Sequence, residues 1–312
     1  MSDPAITVSG LRKSYNGLEA VGGIDLEVAE GEVFAFLGPN GAGKTTTTEI
    51  LEGYRARTAG EVRVLGVDPA SPTRAWRERI GIVLQQCRMI PELSVRETLQ
   101  MYGGYYRSPR AVDETIELVG LTAKADERAS RLSGGQQRRL DVGIALIGDP
   151  ELLFLDEPTT GFDPSARRQF WDVIANLGRL GKTVFLTTHY MEEAQRLAGR
   201  VAIIADGEIV AEGTPDELGE REDRPALITF RLPDGVGPGE LPRDLEAAAS
   251  GNGVVEIATA DPVGALNALT GWALDRKLDL EGLECRRPSL EDIYLELTGV
   301  PDTDEEPEVA GA

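Results

Sequence analysis

The sequence predicts an α/β protein with a mostly parallel core sheet, an antiparallel accessory sheet and a small α+β C-terminal attachment. Three observations carry this prediction. Short apolar runs alternate with longer helical patterns between Val33 and about Val210. The runs are continuous rather than alternating, which is typical of strands covered by helices on both faces. After Thr214 and Pro215 the chain becomes more acidic and gains a stretch rich in proline and glycine, which predicts a separate, smaller unit.

The elements of the main unit follow from these patterns. Five continuous apolar runs are predicted as buried strands: Val33–Leu37, Ile80–Leu84, Leu152–Leu155, Thr183–Leu186 and Val201–Ile204. Three intervening segments are predicted as helices: Lys44–Glu52, Ser94–Met101 and Ser165–Leu177. Ahead of the core, the segments around Ile6–Val8 and Ile24–Val28 alternate apolar and polar residues, so we expect an antiparallel accessory sheet there.

The C-terminal part predicts a small α+β domain over residues 216–300, which leaves residues 1–215 as the main domain. Its predicted elements are strands at Ala226–Arg231 and Val254–Ala258, a capped helix at Asp261–Leu274 and an amphipathic helix at Leu290–Leu297. The acidic stretch 301–312 has no apolar spacing. We therefore expect it to be a disordered tail.

Charge and composition exclude several classes of function. The chain has 312 residues, with 32 basic and 53 acidic side chains and a formal net charge of −21. Residues 216–312 alone hold 8 basic and 23 acidic side chains. An acidic surface repels nucleic-acid phosphates and anionic lipids, so we expect no nucleic-acid partner and no direct adhesion to lipid. The two cysteines, Cys87 and Cys285, indicate neither a disulfide framework nor a zinc site.

The same composition predicts where the protein resides. Residues 1–4 lack the basic and apolar blocks of a signal peptide. The most apolar stretches, such as Val142–Ile147, are far shorter than the roughly 20 residues that span a bilayer. We expect a cytoplasmic protein whose role at a membrane comes through a partner.

One segment has the pattern of a phosphate-binding loop. Gly38–Thr45 reads GPNGAGKT, which fits G-x-x-x-x-G-K-[ST] between a predicted strand and a predicted helix. Its glycines let backbone N–H groups turn toward phosphate, Lys44 adds charge near the β- and γ-phosphates, and the Thr45 hydroxyl ligates Mg²⁺. A chance match in a chain with 36 glycines is the alternative, and the flanking strand and helix disfavour it.

Two further segments extend this pattern. Leu152–Glu157 is an apolar strand that ends in two acids, of which Asp156 would hold Mg²⁺ through water and Glu157 would polarise an attacking water. Acids often follow buried strands, so this motif gains its weight from following the phosphate loop. Leu132–Gln136 reads LSGGQ at a predicted helix start, where a serine and two glycines can bind phosphate. A surface turn that caps the helix is the alternative.

The order of these motifs over residues 5–215 resembles the nucleotide-binding domain of ABC transporters. The phosphate loop corresponds to Walker A, Gln85 to the glutamine after a strand, Leu132–Gln136 to the LSGGQ signature, and the acid pair to the end of Walker B. His189 follows the next strand, as in the family. The signature separates this family from other P-loop NTPases. The resemblance implies a P-loop NTPase fold of the ABC type with a helical subdomain, and ATP and Mg²⁺ as ligands.

The resemblance also implies roles for individual residues. His189, the one histidine of the chain, would bond the γ-phosphate and hold Glu157 and the water in line. Tyr15 would stack on adenine, and Gln85 would reach Mg²⁺ and water and relay the nucleotide state to a membrane partner. Gln86 adjoins Gln85, so either glutamine fits that role. The alternatives are a packing or surface histidine and a tyrosine that merely ends a strand.

The predicted site residues fall into three overlapping sets. The catalytic set is Lys44, Gln85, Glu157 and His189, and the magnesium set is Thr45, Gln85 and Asp156. The nucleotide-binding set is Tyr15, Gly38, Pro39, Asn40, Gly41, Ala42, Gly43, Lys44, Thr45, Thr46, Ser133, Gly135 and Asp163. In the family, Ser133 and Gly135 of one copy face the Walker A loop of another across ATP, with Asp163 at the seam. We therefore expect an ATP-bound homodimer, or a heterodimer with a second cassette protein.

Two segments indicate a branch of the family. Pro288–Gly299 and Leu93–Leu99 resemble the matching parts of daunorubicin-resistance-type export ATPases. This implies a separately encoded polytopic membrane permease, outward movement of a drug, lipid or other hydrophobic compound, and a peripheral location on the inner face of the cell membrane. Phe162, where leucine is usual, and Leu84-Gln85, where proline-glutamine is common, depart from the family pattern and leave the chemistry intact.

Three functions remain open on the sequence. The first is the ATPase subunit of such an exporter. The second is a soluble ABC ATPase acting on a non-membrane partner such as the ribosome, or on DNA, which the single cassette and the acidic charge disfavour. The third is a nucleotide-gated binding module without turnover, which the presence of Glu157 and His189 disfavours.

Overall fold

The computed structural model divides the chain into two compact units, one up to Pro215 and one within Asp216–Glu296. The described residues are 4–84, 90–219, 225–233, 236–242, 245, 247–249, 254–286 and 294–295. Gln85, Gln86 and the acidic stretch 301–312 lie outside the described residues. So does most of the helix predicted at Leu290–Leu297, of which only Tyr294 and Leu295 are described, both in a helix.

The described residues of the first unit form two sheets. Their strands are β1 Ile6–Tyr15, β2 Leu18–Val28, β3 Val33–Leu37, β4 Ala59–Val64, β5 Ile80–Val83, β6 Leu152–Asp156, β7 Thr183–Thr188, β8 Arg200–Ala205 and β9 Glu208–Gly213. The larger sheet has the order β5-β6-β7-β3-β8-β9, with β9 antiparallel and the other five strands parallel. The five predicted apolar strands are the five parallel ones, and the prediction of a mostly parallel core is confirmed.

Parallel pairing explains why these strands are continuously apolar. Both faces of the sheet are covered, and every residue of β7 is buried. The rings of Phe34 and Phe154 each lie 5.8 Å from that of Phe185, so one aromatic layer joins three neighbouring strands. The carboxyl ends of β3, β6 and β7 meet at one edge of the sheet, because these strands are parallel neighbours. This edge is where ligands bind in open α/β sheets.

The smaller sheet of the first unit is antiparallel, in the order β2-β1-β4, as the alternating pattern predicts. Its third strand, β4, is not among the predicted elements. Only Val62 and Val64 of that strand are buried, while its other four residues are exposed. Two inward residues are too few for a recognisable alternation.

Helices of the first unit pack around the larger sheet and in a separate group. They are α1 Lys44–Leu51, α2 Arg74–Arg77, α3 Val95–Gly103, α4 Val112–Leu118, α5 Gly134–Leu146, α6 Pro164–Arg179 and α7 Met191–Leu197, with α8 Pro215–Gly219 at the unit boundary. Helices α3, α4 and α5 pack on one another and form the helical subdomain. Among the described residues, no helix is both long and apolar enough to cross a bilayer.

The described part of the second unit is a four-stranded antiparallel sheet with one long helix. Its elements are β10 Ala226–Arg231, β11 Ala247–Ala249, β12 Val254–Thr259, α9 Pro262–Arg276 and β13 Glu281–Arg286, with the sheet order β11-β12-β10-β13. Ile228, Phe230 and Leu269 belong to its own hydrophobic core. Asp261 caps α9 by accepting a hydrogen bond of 3.0 Å from the Gly264 N–H.

Candidate functional site

The loop between β3 and α1 folds around the side chain of Lys44. Lys44 is 4% exposed, and its ammonium group donates hydrogen bonds to the carbonyl oxygens of Gly38 at 2.6 Å and Pro39 at 3.1 Å. Gly43 precedes α1 with a φ of 107°, and a Cβ there would lie 2.6 Å from the carbonyl oxygen of Ala20. Only glycine fits that position without displacing β2. The N-terminus of α1 has no side-chain cap among the described residues, so its first N–H groups are available to an anion.

A cavity of about 130 Å³ opens at this loop. It is lined by Ala20, Asn40, Gly41, Gly43, Lys44, Thr45, Thr46 and Glu157. The structure thus brings six predicted loop residues together with the acid at the end of Walker B. Ala42 is buried behind the loop, where its N–H bonds the carbonyl oxygen of Pro39 at 3.2 Å.

The two acids after β6 are fixed by the neighbouring strand. The Thr187 hydroxyl in β7 donates to Asp156 Oδ1 at 2.5 Å and accepts from the Glu157 N–H at 3.0 Å. Glu157 has a φ of 41°, in the left-handed region that residues with a side chain rarely adopt. Thr187 is a site residue that the sequence analysis does not identify. Threonine is common in strands, so a threonine at position 187 does not by itself indicate a functional residue.

Glu157 lies between two nitrogen-bearing side chains. Its Oε1 is 3.4 Å from Lys44 Nζ, and its Oε2 is 3.4 Å from His189 Nδ1. The close approach of His189 Nδ1, supported by the charge of Lys44, lowers the pKa of Glu157 to about 2. Burial acts in the opposite direction on this acid but is outweighed. Glu157 is therefore ionised at neutral pH.

Burial has the largest effect on the pKa values of the other two charged groups, Asp156 and Lys44. It raises the pKa of Asp156, and the hydrogen bond from Thr187 only partly offsets that change. It also lowers the pKa of Lys44, against the attraction of Glu157. Both groups consequently gain from a ligand of opposite charge, a cation at Asp156 and an anion at Lys44.

The residues present fit a magnesium ion bound together with a nucleotide. Thr45 offers a hydroxyl at the cavity and Asp156 a carboxylate at the end of β6, which are the hard oxygen ligands that Mg²⁺ takes. Among the described residues, no group of three or more His, Cys, Asp or Glu could hold a metal ion by itself.

Within the part of the chain that the structure describes, three predicted nucleotide contacts outside the phosphate loop lie at helix starts and do not line this cavity. Ser133 is the N-cap of α5, where it forms a capping box with Gln136. Gly135 lies in the first turn of the same helix, and Asp163 is the N-cap of α6. The helix cap, which is the alternative interpretation of Leu132–Gln136, is therefore present. Ser133 and Asp163 are exposed.

Tyr15 ends β1 and also lies outside the cavity lining. Lys13 Nζ is 4.9 Å from the centre of its ring, and the guanidinium carbon of Arg55 is 5.4 Å away. The ring is half-buried. An aromatic ring at a partly open strand end is compatible with stacking on a purine.

Comparison with known proteins agrees with these motifs. The family model described as ABC transporter matches residues 21–160, and that of the ABC transporter domain-containing protein-like C-terminal domain matches residues 226–289. The chain is 38% identical to a daunorubicin resistance ATP-binding protein of Streptomyces coeruleorubidus, over 96% of this chain and 97% of that protein. It is 41% identical to a Nod factor export ATP-binding protein I of Rhizobium sp. strain N33, over 96% and 98%.

Solved structures share the fold of the first unit. A protein of Clostridium perfringens that is part of an ABC transporter complex matches 70% of this chain and 91% of its own, with a TM-score of 0.62 and 27% identity. A dimeric post-hydrolysis ATP-binding cassette bound to ADP and phosphate matches 67% and 98%, with a TM-score of 0.59 and 26% identity. Since the similarity to export ATP-binding proteins extends over nearly the whole chain, this protein belongs to the ABC transporter ATP-binding proteins and is an ATPase.

Proposed function

We propose that this protein is the ATP-hydrolysing subunit of an exporter that moves a drug-like, lipid or other hydrophobic compound through a separate membrane permease. The observation that carries the ATPase part is Glu157, held at the phosphate cavity between Lys44 and His189. The export part is supported by the near full-length similarity to relatives named for daunorubicin resistance and Nod factor export.

ATP binding changes the partners of Lys44. Its ammonium now contacts two carbonyl oxygens and Glu157. The β- and γ-phosphates offer it stronger, fully charged acceptors in the same cavity. Because Lys44 contributes to the low pKa of Glu157, its move to phosphate raises that pKa and makes the carboxylate a better base. His189 keeps the other carboxylate oxygen in place while Glu157 takes the proton of the attacking water.

Magnesium, when bound, neutralises charge on the phosphates and on the leaving group. Thr45 and Asp156 would hold it, and Gln85, which lies outside the described residues, stays a predicted ligand. The hydrogen bond from Thr187 fixes the orientation of the Asp156 carboxylate, which would hold that ion.

A second cassette completes the site in this proposal. Ser133 and Asp163 are exposed on the described surface and absent from the lining of the cavity that contains Lys44. The proposed ligand of Ser133 is the nucleotide bound by another copy of this chain, or by a second cassette protein, and Asp163 is proposed to lie at the seam between the two. ATP then joins the two copies, and loss of the γ-phosphate releases them, which is a differential contact that can drive a cycle. The permease partner places the protein on the inner face of the cell membrane.

The test uses Glu157→Gln, tagged, held with ATP and purified from detergent-solubilised host membranes. We expect mass spectrometry to identify a stoichiometric polytopic membrane protein. Recovery only in the soluble fraction, as a bare dimer or on ribosomes, would contradict the exporter and favour the soluble ABC ATPase. Wild-type ATP turnover in this variant would contradict the role of Glu157.

A further inference from the structure

We propose that Arg138 is a positioning residue that holds the backbone on both sides of Glu157 and ties it to helix α5. The proposal rests on the proposed role of Glu157 as the base. Arg138 belongs to α5, the helix that begins at the signature. Its guanidinium reaches the carboxyl ends of two core strands.

Among the described residues, the guanidinium of Arg138 donates to three backbone carbonyl groups, and its Nη1 also lies 3.9 Å from Oδ2 of the buried Asp141. Its Nε bonds the oxygen of Pro158 at 3.1 Å, and its Nη2 bonds that of Asp156 at 2.9 Å. The third donor, Nη1, bonds the carbonyl oxygen of Leu84. Arg138 is 7% exposed, so these bonds form in a dry environment where they are strong.

Two of these carbonyl groups flank the proposed base. The Asp156 carbonyl belongs to the peptide bond that enters Glu157, and the Pro158 carbonyl belongs to the residue that follows. One rigid, planar group therefore spans the residue with the left-handed φ of 41°. Such a conformation persists only where surrounding contacts over-determine it. Thr187 supplies contacts from β7, through its carbonyl oxygen at 3.2 Å and its hydroxyl at 3.0 Å from the Glu157 N–H.

The third bond connects the same guanidinium to the glutamine segment. Leu84 directly follows β5 and directly precedes Gln85. Arg138 thus joins the end of β5 to the end of β6, where the proposed magnesium ligand and the proposed base lie. A lysine has a single ammonium group and cannot reproduce this three-way fork.

The location of Arg138 gives this contact a mechanical consequence. Helix α5 begins directly after Ser133, which is proposed to contact the nucleotide of a second copy. A shift of α5 when that nucleotide is engaged moves the guanidinium and, through its hydrogen bonds, the turn at Glu157. A displacement of about 1 Å at a reacting group can change turnover by about a hundredfold.

A purely structural brace is the competing explanation, and the adjacent arginine provides the matched control. Arg139 lies next to Arg138 on the same helix, and its Nη1 donates to the carbonyl oxygen of Gly120 at 3.1 Å. Arg139 is half-buried, and its acceptor Gly120 lies in the connection between α4 and α5. Arg138→Met and Arg139→Met remove the same charge from neighbouring positions.

The first measurement compares steady-state ATP turnover, nucleotide affinity and melting temperature of the full chain. For Arg138→Met we expect kcat to fall by about tenfold or more at saturating ATP, with the nucleotide Kd changed by less than about twofold. Arg138→Lys keeps a buried cation and shows an intermediate loss of kcat, and it serves as the second variant if Arg138→Met folds poorly. Arg139→Met keeps kcat within about twofold. Equal losses for Arg138→Met and Arg139→Met would overturn the proposal.

The second measurement combines Arg138→Met with Glu157→Gln. If Arg138 acts through Glu157, the double variant turns over ATP no more slowly than Glu157→Gln alone, since residues that act as a unit are not additive. Losses that multiply would overturn the proposal, because a brace acts independently of the base. Failure of the proposed base shows separately, as wild-type turnover in Glu157→Gln alone.

Discussion

The phosphate loop encloses its charged side chain, whereas the signature segment leaves its serine at the surface. Lys44 is bonded to Gly38 and Pro39 and paired with Glu157 inside the chain. Within the part of the chain that the structure describes, the hydrogen bonds of Ser133 are those of the α5 cap. The first region is preformed around a place for phosphate, and the second is an exposed helix start. This difference supports the proposal that one chain carries two halves of different nucleotide sites.

The largest expected effect is at the enclosed half. Lys44→Met keeps the stem of the side chain and removes the ammonium, so the triphosphate loses its buried cation. We expect nucleotide binding to weaken and ATP turnover to fall by about a hundredfold or more, since a preorganised charge in a water-poor site contributes several kcal/mol. Titration with a fluorescent ATP analogue and a phosphate-release assay measure both. Unchanged nucleotide affinity would show that the cavity is not the phosphate site.

A different loss is expected at the exposed half. Ser133→Asp keeps a good N-cap for α5 but places a negative charge where the γ-phosphate of a second copy is proposed to lie. We expect turnover and ATP-dependent dimerisation to fall by about tenfold or more, with monomer nucleotide affinity and melting temperature retained. Ser133→Asn is the neutral control, because asparagine caps equally well.

Light scattering with and without ATP, in the Glu157→Gln background, reports the dimer. If Ser133→Asp and Ser133→Asn dimerise alike, charge at this position is irrelevant and the proposed contact is wrong. If both variants lose nucleotide affinity as monomers, the signature belongs to the site of its own chain instead.

A smaller effect is expected at Glu52, at the end of the helix that follows the phosphate loop. It concerns stability and not turnover. Glu52 follows α1, is 5% exposed, and burial raises its pKa from an ordinary 4.5 to about 8. The folded state therefore holds this proton more tightly than the unfolded state. Stability from this group is present below about pH 4.5 and is lost as the pH rises toward 8. Glu52→Gln removes that loss, so we expect it to raise the free energy of unfolding by roughly 2 to 5 kcal/mol at pH 8.5.

Urea unfolding at pH 5.5 and 8.5 measures the effect of Glu52. The stability difference between Glu52→Gln and the unsubstituted protein should grow with pH. A difference that stays constant between the two pH values would contradict a buried, protonated Glu52.

Local pattern was sufficient to predict the core and the phosphate loop. The continuous apolar run at Val33–Leu37, the glycine-rich turn and the following helix are neighbours along the chain, so their geometry follows from short-range rules. Predicted residues such as Lys44 and Glu157 indeed meet at one cavity. Strand β13 could not be predicted in the same way, since five of its six residues are exposed and leave no buried face.

Contacts between distant segments lay beyond the sequence pattern. Arg138 reaches the carbonyl oxygen of Leu84, 54 residues away, and carbonyl acceptors have no sequence signature. The left-handed backbone at Glu157 and the buried position of Glu52 likewise depend on tertiary packing. The pairing of Ser133 with a second copy is a property of two chains and stays a prediction.

The most direct test of the two-half account mixes two inactive variants. Lys44→Met breaks the phosphate loop and Ser133→Asp breaks the signature, so each variant alone has no intact site. In a mixed dimer, the intact loop of one copy meets the intact signature of the other. We predict that a 1:1 mixture recovers ATP turnover well above the sum of the separate variants. A mixture that stays as inactive as its components would contradict pairing between two copies of this chain.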